Sequence, residues 1–187
     1  MAQHGAGRLG MRLFMASLGM LFAAGVLAIL VIKWGSDWPS DLPPLPRILW
    51  GSTAVLILSS VTLQWGIGGM RRGSMATLHR ALWVTAGLGV TFLVLQTIAW
   101  MQWNTSIQGL WEASNEHRLA ITSFQVLTGV HAAHLIGGLL PLGIVLYYIM
   151  VRQYSLEHHP GVSYLVTYWH FLDVVWVALI IVMMVGL

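Results

Sequence analysis

Cysteine is absent from the 187-residue chain. That removes disulfides, thiolate metal sites, iron–sulfur ligation and covalent haem attachment through Cys-x-x-Cys-His together. Charge is almost as scarce. Only 8% of residues are Asp, Glu, Lys or Arg, against about 25% in an ordinary soluble domain, so a water-soluble fold is excluded. The net charge of +3 is scattered, with no basic cluster, and nucleic acid is not implied. There is no internal repeat and no low-complexity tract. With about 20 residues needed per membrane crossing, no length remains for a separate soluble domain.

What the chain does contain is long apolar runs, 57% of residues being hydrophobic. They predict an all-α, polytopic membrane protein with five transmembrane helices, at about residues 11–32, 48–70, 78–103, 119–151 and 164–187, in a single membrane domain. The first apolar run follows Arg8 and Arg12, extends from about Leu13 to Ile32 and ends in Lys33-Trp34. It outlasts the apolar core of a secretory signal and closes on an interfacial anchor pair, so it reads as a retained span. Arg8, Arg12, Arg71, Arg72, Arg80 and Arg152 fall on one side of the bilayer, and Lys33, Arg47 and Arg118 on the other. This bias predicts an inside amino terminus and an outside carboxyl terminus. Four prolines (Pro39, Pro43, Pro44, Pro46) predict an extended first loop. Ser114 or Asn115 suits a helix cap, and Pro160-Gly161 predicts a turn before the last span. Gly19, Gly89, Gly137 and Gly138 let helices approach, while Ser52, Ser59, Ser60 and Thr62 supply hydroxyls for bonds between or within helices.

Two ionisable pairs, His131-x-x-His134 and His170-x-x-Asp173, lie inside the last two spans. Residues three apart on a helix differ by about 60° in direction and about 4.5 Å in height, so each pair shares a face. A carboxylate at mid-depth costs about 2.5–3.5 kcal/mol on insertion scales. Asp173 must therefore face protein, either protonated or paired with an imidazole. Counted from the cytoplasmic ends of their helices, Asp173 and His134 fall within roughly two turns of the same depth, and a polar cluster across the last helical hairpin is expected. A hydrogen-bonded latch between helices is the favoured reading. A proton-handling or lipid-headgroup site is the functional one. Haem ligation by His134 and His170 is a further alternative. A di-iron site would need several carboxylates, whereas the spans hold one. His158-His159 reads as a solvated loop pair.

The segment from Phe124 to Gly138, Phe-Gln-Val-Leu-Thr-Gly-Val-His-Ala-Ala-His-Leu-Ile-Gly-Gly, resembles the "TGxHGxHVxxG" helix of haem–copper oxidase subunit III. Tyr168 to Trp176, Tyr-Trp-His-Phe-Leu-Asp-Val-Val-Trp, is similar to that family's "YWHFVDVVW" signature. His158-His159, the Leu58-Ser-Ser-Val-Thr62 segment, and Gln96 with Trp100 also correspond. The resemblance extends over all five spans and is most specific in the last two. It matches the shorter, five-helix bacterial form, in a bacterial inner (cell) membrane. It implies a non-catalytic subunit that binds no haem or copper itself. Those centres would belong to the catalytic subunit I and subunit II, against which this chain would pack while holding phospholipid. His131, His134, His170 and Asp173 would form its internal polar cluster, and Trp169 and Trp176 would pack along the last helix. Leu18, Ala99 and Ser163 stand where the family commonly carries acids, which weakens a proton-antenna role. The rival readings are a haem b membrane cytochrome, a small transporter, or the third subunit of a quinol oxidase or nitric oxide reductase relative.

Overall fold

The computed structural model describes residues 2–35, 39, 41–151 and 160–186. Arg152 and the His158-His159 pair lie outside the described residues. The chain forms five α-helices, α1 (Ala2–Gly35), α2 (Ile48–Arg71), α3 (Met75–Ser106), α4 (Asn115–Met150) and α5 (Pro160–Gly186). All five are long and apolar enough to cross a membrane, and no strand occurs among the described residues.

The connections follow local chemistry. Gly73 adopts φ +81°, a left-handed conformation that costs glycine nothing, and it turns the chain between α2 and α3. Ser74 caps α3, its Oγ accepting from Thr77 N–H at 3.4 Å. Ser114 caps α4, accepting from His117 N–H at 3.3 Å. The proline-rich first connection has no regular structure over residues 41–46, as expected. Pro160-Gly161 is the exception. Both residues belong to the first turn of α5 rather than to a separate turn, because a proline at the first helical position lacks only an N–H that has no partner there.

Helices α2, α3, α4 and α5 close a four-membered ring in which each packs on the next and α5 returns to α2. Helix α1 lies outside that ring, against α4 and α5. Trp103, Trp169, Trp176, Phe92, Leu63 and Leu135 fill the interior, while Trp50, Val61, Met101, Leu140 and Val174 face outward. Outward apolar side chains on every helix are what a lipid-facing surface requires, since lipid supplies no drive to bury them. The tightest crossing is that of α2 and α3. A methyl at Gly66 would lie 2.5 Å from Ala81 Cβ, and one at Gly69 would lie 2.4 Å from Thr77 Cγ2. Helices α1 and α5 climb together, Gly7 beside Tyr164, Phe14 beside Tyr168 and Gly19 beside Phe171. Their parallel course is the one that two spans separated by three others must take.

Candidate functional site

Polar side chains in this apolar frame gather along the seam between α2 and α5. The antiparallel pairing brings the hydroxyl row of α2 against one face of α5. Trp176 Nε1 donates to Thr53 Oγ1 at 3.0 Å, and Trp169 Nε1 donates to Ser59 Oγ at 2.9 Å. Between them Ser60 Oγ contacts both His170 Nδ1, at 2.7 Å, and Asp173 Oδ2. His170 Nε2 lies 3.3 Å from Gln64 Oε1. Asp173 is only 8% exposed and faces protein. A hidden acid at this depth needs such partners, because an unsatisfied polar group in hydrocarbon costs several kcal/mol.

The proton inventory of this network is restrictive. Gln64 Oε1 can only accept, so His170 Nε2 donates to it. Ser60 has one proton for two neighbours. If it donates to an ionised Asp173, the His170 Nδ1 that contacts it must carry a proton, giving an imidazolium–carboxylate pair 3.8 Å apart. If it donates to a neutral imidazole instead, Asp173 must carry the proton and donate to Ser60. The two arrangements differ by a proton passed through one hydroxyl, and both are neutral overall.

The α4 imidazoles are placed elsewhere. His131 is fully buried, with neither ring nitrogen hydrogen-bonded. It is enclosed by aromatic rings, with Trp176, Phe92 and Phe22 centroids at 4.9, 5.9 and 6.3 Å. His134 turns toward α1, its Nδ1 donating to Val130 O at 2.7 Å and its ring 5.5 Å from that of Phe22. Tyr168 Oη donates to the His134 carbonyl at 2.8 Å, pinning α5 to α4. Gly138 makes room for that ring, since a Cβ there would come 2.9 Å from Tyr168 Cε1; at Gly137 the Tyr168 hydroxyl stands 3.8 Å away. The four residues expected to form one cluster thus divide. His170 and Asp173 bond to α2, and His131 and His134 pack among aromatic rings toward α1 and α3. Leu18 and Ala99 are buried and Ser163 is exposed.

A family model for cytochrome c oxidase subunit III matches residues 2–186. The chain belongs to that family. A cytochrome c oxidase subunit 3 from Thermostichus vulcanus is 27% identical over 177 residues, covering 91% of this chain and 83% of that protein. One from Scyliorhinus canicula is 34% identical over 149 residues, 78% of this chain and 54% of that protein. One from Corynebacterium diphtheriae is 34% identical over 129 residues, 69% and 60%. The chain therefore spans about half to five-sixths of these relatives. As a subunit III family member with five apolar helices, it is a multi-pass membrane protein.

Within this subunit III framework, three partners escaped sequence reasoning. Thr53 stands next to Ser52 and Gln64 one turn beyond Ser60 on α2, and the helical spacing of Ser60 and Gln64 was the available signal. The third is Asp41, in a clasp between the first connection and the first turn of α4. His117 Nε2 meets Asp41 Oδ1 at 2.8 Å, and His117 Nδ1 meets Ser114 Oγ at 3.0 Å. Among the described residues, no group of three or more His, Cys, Asp or Glu is placed to hold a metal ion.

Proposed function

We propose that this chain is the non-catalytic third subunit of a haem–copper terminal oxidase in a bacterial inner membrane, amino terminus inside. It packs against the catalytic subunit I and subunit II, which carry the haem and copper, and stabilises them. One observation carries this reading. Each polar side chain of the Tyr168–Trp176 stretch is engaged by a neighbouring helix of the same chain: Tyr168 with α4, and Trp169, His170, Asp173 and Trp176 with α2. Both nitrogens of His170 are occupied, leaving neither for iron. The signature is spent on holding the bundle together, as a supporting subunit requires.

A groove of about 570 Å³ between α1 and α5 supports a lipid role. Arg8 and Arg12, one turn apart on α1, stand at its mouth with Ser163 and Thr167, and Met15, Phe171 and Val174 line its apolar length. Two guanidiniums above an apolar channel suit a phospholipid's phosphate and acyl chains. His170 borders the same groove beside Phe171, deeper than the two guanidiniums, which sets the Asp173–Ser60–His170 network against the groove and supports a proton-handling role.

Purification of the tagged chain in mild detergent tests the reading. Haem–copper catalytic subunits should accompany it in fixed ratio, with haem absorbance in their fraction. Recovery of the chain alone, or with haem b bound to it in the absence of other subunits, would overturn it.

A further inference from the structure

On the other side of α1 lies a second cavity, of about 660 Å³, walled by α1, α4 and α5. Its walls are apolar, with Met11 and Phe14 from α1 and Leu165 from α5. Its polar lining is unusual in kind. Pro141, inside α4, has no N–H, so the Gly137 carbonyl one turn earlier lacks its ordinary helical donor. Both residues line the cavity. His134 lines it as well, and its Nδ1 lies 2.7 Å from Val130 O. A carbonyl oxygen can only accept, so Nδ1 carries the proton and, in the neutral ring, Nε2 is left as an acceptor. The Tyr168 hydroxyl, at the same wall, is already committed to the His134 carbonyl, and the Tyr164 hydroxyl, which also lines the cavity, lies away from these acceptors against Gly7 of α1.

Two acceptors three residues apart on one helix, each short of a donor, thus belong to residues that line an open apolar groove with no acidic or basic side chain other than that imidazole. In a low-dielectric setting such acceptors favour a ligand that brings its own O–H. A cationic head would meet no counter-charge, and a phosphate would meet two further acceptors. We infer that this cavity binds a neutral amphiphile whose hydroxyl head donates to the Gly137 carbonyl and to His134, with its apolar body along Met11, Phe14 and Leu165. A ring alcohol and an acylglycerol alcohol share this chemistry. The inference stands apart from the oxidase reading, because it concerns the chain's own cavity and can be tested whether or not partner subunits are present.

The test uses the full chain in lipid nanodiscs and compares 4-octylphenol with its methyl ether, 4-octylanisole, which has the same body and no donor. Binding is read by competition against a diazirine-bearing alkylphenol, with crosslinked peptides mapped. Crosslinks should fall in 11–14, 133–141 and 161–168. The phenol should bind at least about threefold more tightly than the ether, and Pro141→Ala, which restores an N–H to the Gly137 carbonyl, should reduce phenol affinity by about two- to tenfold. Alanine is at home in a helix interior, so this variant keeps the fold, which circular dichroism checks. His134→Phe should reduce phenol affinity by a similar factor and leave ether affinity unchanged. Comparing 1-octylglycerol with the phenol identifies the source, since tighter binding of either upholds the inference and assigns the head. Equal binding of phenol and ether, or crosslinks confined to other helices, would overturn it without touching the oxidase reading.

Discussion

Substituting two glycines of α2 separately isolates the closeness of the α2–α3 crossing. Gly66→Ala places a methyl 2.5 Å from Ala81 Cβ and 3.7 Å from Leu78 Cα, whereas Gly51→Ala meets nothing within 4 Å. Both changes gain the same helix propensity, about 1 kcal/mol relative to glycine. Their difference therefore reports the contact alone. The Ala81 methyl sits directly on the backbone and cannot rotate away, so α2 and α3 must part by roughly an ångström for the two methyls to reach van der Waals contact. Parting them loosens the packing of Leu63, Leu78 and Leu82, all fully buried. Overpacking of this kind costs about 1–3 kcal/mol. Gly51→Ala should be neutral or stabilising, and Gly66→Ala should fall below it by about 1–3 kcal/mol in reversible unfolding of the purified chain. Ala81→Gly, added to Gly66→Ala, returns the space and should recover most of the loss beyond its own propensity cost. Equal stabilities for the two single variants, or no recovery in the double, would refute so close a crossing.

Ser60→Ala leaves His170 Nδ1 and Asp173 Oδ2 without their shared hydroxyl and should cost about 1–3 kcal/mol. Ser60→Thr retains the oxygen and should cost less, with thermal unfolding as the readout; equal losses would show that the hydroxyl contributes nothing. The Asp41–His117 clasp should be sensitive to acid. The hydrogen bond from His117 holds the exposed Asp41 carboxyl below its ordinary 3.8. A lowered carboxyl pKa makes the Asp41 contribution fully present above the ordinary value and lost as pH falls through the lowered one. Spin labels on the first and third connections should thus report release only below about pH 4. Asp41→Asn should abolish that step, and an unchanged acid step in this variant would assign the release to another group.

The legible part of this molecule lay wherever a residue's chemistry admits one solution. Asp173 had to face protein, and the hydroxyls of α2 had to find partners, because hydrocarbon offers neither. Ser114 or Asn115 suited a helix start, and Ser114 supplies the cap. What remained hidden was rotation. In helices that are apolar on every side, hydropathy does not say which face meets which neighbour. The pairing of Asp173 with Ser60 on α2, and the turning of His134 toward α1, depended on packing angles that tryptophan rings and glycine contacts set jointly. Depth was readable by counting residues, and azimuth was not. Thr53 and Gln64 escaped for that reason, and Asp41 with His117 because a contact between a loop and a distant helix start leaves no periodic trace.

The seating of α1 has a consequence for biogenesis. This helix touches α4 and α5, with no contact to α2 or α3 among the described residues. It is made before the other four helices yet has nothing to dock on until α4 and α5 have been inserted. The α2–α3 hairpin, with its short glycine turn, can assemble as soon as it is made, while the leading segment waits alone among lipids. Vectorial synthesis therefore leaves the earliest-made of these five helices to be fitted after the ones that follow it.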